Sequence, residues 1–128
     1  MKILVEISVG ELFDKITILK IKTEKIKDQN KLNNINLELE ILNKEAIKII
    51  NPSAEIIENI EKLKNINTEL WDIENLKREL EAKKDFSENF INISREVHFK
   101  NDNRAIIKKK INVLTQSNVT EEKEYTKY

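Results

Sequence analysis

Apolar residues recur at helical spacing along almost the whole chain, and 128 residues contain only one glycine and one proline to interrupt them. Leu32, Ile35, Leu39, Leu42, Ala46 and Ile49 hold an a/d spacing over nearly three heptads. That is the pattern of a helix with a single apolar seam. It places one helix over about 31–50, stopped by Pro52, with Ser53 as the next cap. A longer helix over about 54–83 buries Ile56, Ile60, Leu63, Ile66, Leu70, Ile73 and Leu80. Asp85-Phe86-Ser87-Glu88 is a D-x-x-E start signal, and Phe86, Phe90, Ile93 and Val97 follow at 4, 3, 4 spacing. "KNDNR" at 100–104 is polar and cap-like, after which Ile107, Ile111 and Leu114 resume the register. Two helices over 87–116 are therefore expected, with one long helix as the alternative.

The N-terminal helix is the best signposted. Ser8-Val9-Gly10-Glu11 is a capping box, and Ile7 and Leu12 occupy the staple positions around it. The helix is expected over about 9–27. Leu12, Ile16, Leu19, Thr23 and Ile26 form one stripe, while Ile18 and Ile21 lie on the far side with Asp14 between them. A helix apolar on two sides is either central to its own fold or shared with a partner. "KILVEI", residues 2–7, reads as a short strand that needs a mate. Candidates are the extended C-terminal tail from about 117, which offers Val119 and Tyr125, or the same strand of a second copy. The expected fold is mainly α: a helical bundle or antiparallel helical array of four to five helices with a short N-terminal strand, in a single domain over 1–128.

Composition excludes several functions. Lys plus Arg equals Asp plus Glu at 23 each, so no net field draws nucleic acid or an anionic membrane surface. No stretch approaches the apolar length of a membrane span, and the N-terminus reads as no signal peptide. Without cysteine there are no disulfides or thiolate metal sites, and no metal or cofactor is expected. A cytoplasmic protein is the simplest reading. The chain is biased to Ile, Lys and Asn, at 21, 20 and 16 residues, so its rare residues stand out: Gly10, Pro52, Trp71, His98, Arg78, Arg95 and Arg104.

Familiar small helical enzymes fit poorly. Metal-dependent pyrophosphatases need carboxylate pairs on different helices. Here Glu55-x-x-Glu58 and Glu69-x-x-Asp72 lie on one helix, roughly 20 Å apart. Helical chorismate mutases need arginines early in the first helix, where this chain has only lysines. His98 has no assignable triad partner.

Two polar patches are more informative. Trp71, Glu74 and Arg78 share a helical face, either as a covered core aromatic or as a ligand surface. Arg95, His98 and Asp102 share another, continued by Arg104, Lys108 and Asn112, with Asn101 beside them. This is either a solvated face with a helix cap or a cationic pocket for an anion. Gly10 at a helix N-terminus admits either an anion or a closely packed element, and Glu11 favours the packed element. Blocks on different helices can converge in a bundle. The expectation is that Asp14 or Lys15, Glu74 and Arg104 share one pocket.

"GELFDKITILKIK", "LWDIENLKREL", "NDNRAIIKKKIN" and "EEKEYTKY" resemble the successive blocks of a family of short bacterial and phage proteins, catalogued as a domain of unknown function. The resemblance covers nearly the whole chain. It implies that Gly10, Glu11, Asp14, Lys15, Trp71, Glu74, Asn101, Asp102, Arg104, Lys108 and Asn112 match the family pattern, and it implies no activity. Three functions stay open. The first is an assembly or partner-binding module, by default a homodimer. The second is a binding protein for a small anionic ligand of nucleotide or sugar-phosphate class. The third is an enzyme with Asp14, Glu74 and Asp102 as acids or bases and His98 as a proton shuttle.

Overall fold

A computed structural model describes all 128 residues. Four helices follow one another: α1 (Val9–Lys25), α2 (Gln29–Ala46), α3 (Ala54–Ala82) and α4 (Glu88–Leu114). α1, α2 and α3 each start on a side chain that accepts from the first turn: Ser8 from the Glu11 N–H, Asp28 from Lys31 and Ser53 from Ile56. These caps satisfy donors that a helix start leaves free. α4 starts after Ser87, whose side chain makes no such bond. Asp85, the first residue of the D-x-x-E signal, instead accepts from the Ser87 N–H at 3.0 Å.

With its single glycine used elsewhere, the chain follows α3 and α4 with side-chain-bearing residues in the left-handed region, Lys84 and Gln116 at φ 55° and 52°; Asn51, at φ 50°, lies in the connection between α2 and α3. At the ends of α3 and α4 the chain folds back with a long capping bond, Asp85 N–H to the Leu80 carbonyl and Ser117 N–H to that of Asn112, both at 2.9 Å.

α1 is the hub. It packs against each of the other three helices; α3 and α4 pair with each other, and α2 lies on α1. This explains the first helix's two apolar sides: it is central to its own fold. Leu12, Phe13 and Ile16 join Leu63 of α3 and Ile111 of α4 in the core. Leu39, Leu42 and Ala46 of α2, and Ile49 just beyond its end, pack against that cluster. The heptad is thus used inside the chain. α3 runs parallel to α1, with Asn67 on Asp14 and Asp72 near Lys25. α4 runs antiparallel to both, pairing Lys100 with Glu69, Lys110 with Glu55 and Arg104 with Asp14. At 29 and 27 residues, α3 and α4 outreach the 17-residue α1. Between Leu70 and Lys108 no residue is fully buried, and the far ends form a projecting hairpin.

Two expectations are corrected. Residues 1–7 form no strand: none of their main-chain groups bonds to another main-chain group, because no second strand lies beside them. Residues 88–114 form one helix rather than two. The polar "KNDNR" does not break it, because Asn and Asp cost well under about 1 kcal/mol each in a helix and their neighbours are held by tertiary contacts. Asn101 donates to the Val97 carbonyl at 3.0 Å and Arg104 turns inward to Asp14. No helix is long and apolar enough to cross a membrane.

Candidate functional site

Seven of the 18 buried residues are polar or charged: Ser8, Asp14, Thr17, Asn59, Asn67, Lys108 and Asn112. Five of them line the contact of α1 with α3 and α4, so this interface is built on hydrogen bonds as much as on hydrocarbon. The reason lies in the α1 face composed of Gly10, Asp14, Thr17 and Ile21, at spacings of 4, 3 and 4. At Gly10 the helices come very close. A Cβ placed there would sit 2.5 Å from the Lys108 carbonyl oxygen and 2.9 Å from Asn112 Oδ1. Gly10 does not have a positive φ, so its role is close approach. Its N–H donates to Asn112 Oδ1 at 2.6 Å, and the Val9 N–H to Ser117 Oγ at 3.0 Å. The first N–H groups of α1 are all engaged, which leaves none for an anion.

One helical turn further along, Asp14 is 2% exposed. Arg104 donates to both its oxygens, through Nε to Oδ1 at 2.8 Å and through Nη2 to Oδ2. Asn67 Nδ2 donates to Asp14 Oδ1 at 2.9 Å and to Thr17 Oγ1 at 3.0 Å. Lys108 Nζ lies 3.8 Å from Asp14 Oδ2 and donates to Glu11 at 2.6 Å and Glu121 at 3.2 Å. Burial pushes the Asp14 carboxyl up, but Arg104, Asn67 and Lys108 outweigh it and hold it below the usual carboxylate range. Burial pushes Lys108 down; Glu11, Asp14 and Glu121 outweigh that and raise it. The arrangement is a closed charge network with every ion opposed.

Arg104 carries this network to the surface. With Asn67 and Asn101 it lines an open groove of about 340 Å³, whose other walls are Trp71, Glu74, Asn75 and Arg78 of α3 and Ile18 and Ile21 of α1. Arg104 Nη1 donates to Asn101 Oδ1 at 3.2 Å, and Arg78 Nη1 to Glu74 Oε2 at 2.9 Å. Of the three groups expected in one pocket, Glu74 and Arg104 line the groove; Asp14 does not line it and is joined to it only through its bonds from Arg104 and Asn67. Trp71, half-buried, lies in the same groove as the Glu74–Arg78 pair.

The remaining candidates lie elsewhere. Lys15 is exposed and pairs only with Glu11. Lys108 is enclosed by carboxylates on the far side of Arg104, and Asn112 is committed to Gly10. Arg95 stands over the Phe99 ring at 5.6 Å. Asp102 accepts from the Tyr128 hydroxyl, and His98 packs against Phe99 and Tyr128. The cationic trio Arg95, Arg104 and Lys108 is therefore not assembled into one anion pocket. Nor does an acid–base pair form at the groove: Asp14 is held ionised and saturated with donors, while Asp102 and His98 are on another surface.

Asn67, Thr17 and Asn75 were not among the sequence candidates. Asn67 did leave a signal, a polar residue at a core-facing position between Leu63 and Leu70. Thr17 completes the Gly10–Asp14–Ile21 face; nothing in the sequence singled out Asn75. No group of acidic or histidine side chains is arranged to hold a metal ion.

Comparison with curated proteins and with solved structures finds no match. The family model described as "Family of unknown function (DUF6165)" matches residues 1–128. The chain, with its polar helix junction opening on a tryptophan-lined groove, belongs to that family.

Proposed function

We propose that this chain is a binding protein for a small polar ring-bearing ligand, a sugar or sugar-phosphate by class, held in the groove between α1, α3 and α4. The observation that carries this reading is Arg104, fixed from below by a buried carboxylate and opening into the groove opposite Trp71. Its guanidinium has five N–H donors. Three are engaged with Asp14 and Asn101, which leaves two at a preset position. Because Asp14 offsets Arg104 and Glu74 offsets Arg78, the groove has no net charge to attract a free anion. Amides, a carboxylate and guanidiniums together both donate and accept, which suits vicinal hydroxyls. An indole face suits the C–H face of a ring. One phosphate on such a ring would meet the spare Arg104 donors.

Thermal unfolding in the presence of hexoses, hexose phosphates, nucleotides and inorganic phosphate tests this. A ligand at 100 times its Kd adds about 2.7 kcal/mol of stability, a shift of several degrees. The expected hit is a hexose phosphate, with the shift lost in Trp71→Ala and Arg78→Ala. No shift with any of these, or equal shifts in both variants, overturns the reading.

A second reading, a cytoplasmic assembly module that pairs as a homodimer, is supported by surface area. The chain exposes 9302 Å², whereas a compact monomer of 15.1 kDa exposes about 7,100 Å². The surplus includes large aliphatic side chains such as Ile3, Leu4, Ile47 and Ile50.

A further inference from the structure

Residues 118–128 run back along α4 and are held there by side chains. Beyond the Ser117 N–H, no main-chain group of the segment bonds to another main-chain group. Glu121 accepts from Lys108 at 3.2 Å and Glu122 from Lys109 at 3.3 Å; the Tyr128 hydroxyl donates to Asp102, with its ring against His98 and Phe99. Residues 120–128 are all exposed, and a space of about 180 Å³ remains between Glu121–Lys123 and the Ala105–Ile106 face of α4. The segment is a strap over the helix rather than a packed element. One of its contacts enters the buried network. The Lys108 side chain is 10% exposed, and Glu121 is its third carboxylate beside Glu11 at 2.6 Å and Asp14 Oδ2 at 3.8 Å. Arg104, one turn earlier on α4, donates to that same Asp14 oxygen. Three carboxylates, Asp14, Glu11 and Glu121, thus face two interface cations. The outlying lysines, Lys15 at 3.6 Å from Glu11 and Lys123 at 3.7 Å from Glu121, are exposed. The Glu121 charge is felt at Arg104: its bond to Asp14 holds the guanidinium above its ordinary value against burial, and the charges of Asp14, Glu11 and Glu121 add to that.

We propose that the strap regulates the groove: Glu121 and a phosphate bound at Arg104 compete for the cations Arg104 and Lys108, so that each loosens the other. The inference rests on the ring-phosphate reading of the groove above. A phosphate on the spare Arg104 donors is a further anion beside a network that already holds one carboxylate more than it has interface cations. Asp14 cannot leave, being buried and also bound by Asn67, and Glu11 is fixed in the first turn of α1. Glu121 sits on the one segment without main-chain bonds, so it is the carboxylate that is released. Lys108 then turns to Asp14 Oδ2 and supplies the charge that Arg104 shares with the phosphate. A neutral sugar adds no anion and leaves the strap in place. The coupling is reciprocal: whatever factor the phosphate takes from the strap, the strap takes from the phosphate.

The test is calorimetric titration of the full chain with glucose 6-phosphate and with glucose, in the parent and in two variants. Glu121→Gln removes an exposed carboxylate and leaves Lys108 its bonds to Glu11 and Asp14, so the unliganded variant melts with the parent. Glu122→Gln removes the same charge one position along, from a residue paired only with the exposed Lys109. Glu121→Gln is expected to bind glucose 6-phosphate about fivefold more tightly, the low end of coupling between sites because salt screens it, and to bind glucose as the parent does. Glu122→Gln is expected to change neither. The chain has no cysteine, so a nitroxide on Thr126→Cys reports the strap alone; its mobility is expected to rise with glucose 6-phosphate and not with glucose. If neither sugar binds the parent or Glu121→Gln, the groove reading fails and this inference with it. If glucose 6-phosphate binds the parent and Glu121→Gln equally, or both Gln variants tighten it alike, or the nitroxide does not respond, the strap's role is overturned and the groove reading stands.

Discussion

Gly10→Ala separates the local preference of the chain from its tertiary demand. Alanine is the better helix former, by at most about 1 kcal/mol, and Gly10 needs no special backbone conformation. Local reasoning therefore expects a small gain. The structure expects a loss. The new Cβ would meet the Lys108 carbonyl oxygen at 2.5 Å, where ordinary contact begins at 3.4 Å. The obstacle is backbone, so no rotamer relieves it, and truncating the Lys108 side chain does not help. α1 and α4 have to separate by most of an ångström. That stretches the 2.6 Å bond from Gly10 to Asn112 beyond useful range, at about 1–1.5 kcal/mol. The displaced packing costs a further 1–3 kcal/mol or so. Net of the propensity gain, Gly10→Ala is expected to lose about 2 kcal/mol, a fall in Tm of roughly 8 °C for a chain of this size. Urea unfolding followed by circular dichroism measures it. A variant as stable as the parent, or more so, refutes the close-approach argument.

Asp14→Asn is expected to cost about 3 kcal/mol at neutral pH, because it leaves the half-buried Arg104 without a carboxylate partner, while Lys108 keeps Glu11 and Glu121. The Asp14 carboxyl is held below its ordinary value of 3.8. Its contribution is therefore present above that value and lost as pH falls through the lowered folded-state value. The difference between parent and variant in urea midpoint should close under strong acid, and a constant difference from neutral to strongly acid pH would contradict the assignment. Lys84→Gly acts in the opposite direction. Lys84 ends α3 at φ 55°, where glycine carries no Cβ penalty, so a gain of about 0.5–1 kcal/mol is expected in the same unfolding assay.

How much the sequence disclosed differs from element to element. Helix starts with their own side-chain caps were legible, because a cap is a contact between residues three apart: Ser8 with Glu11 and Ser53 with Ile56 are written locally. The apolar stripes were legible for the same reason, since spacing alone decides which side chains share a face. The single helix over 88–114 was not. Its polar middle looks like a break until Arg104 is seen to reach Asp14, 90 positions away in the chain. The strand was misread in the complementary way. β-prone residues at 2–7 state a preference, but a strand exists only where another backbone accepts it.

Order along the chain is enough to make it helical, to set where most of its helices begin, and to mark Gly10, Trp71 and Arg104 as unusual in their setting. Periodicity, capping and scarcity are all properties of neighbours along the chain. That α1 is the hub, that Gly10 serves helix contact, and that Arg104 joins Trp71 and Glu74 while Arg95 and Lys108 do not, follows from how the helices pack. Those outcomes depend on which helix faces meet. Faces meet where buried charge is matched, as at Asp14 with Arg104 and Asn67, and no spacing rule within a single helix records its partner's register.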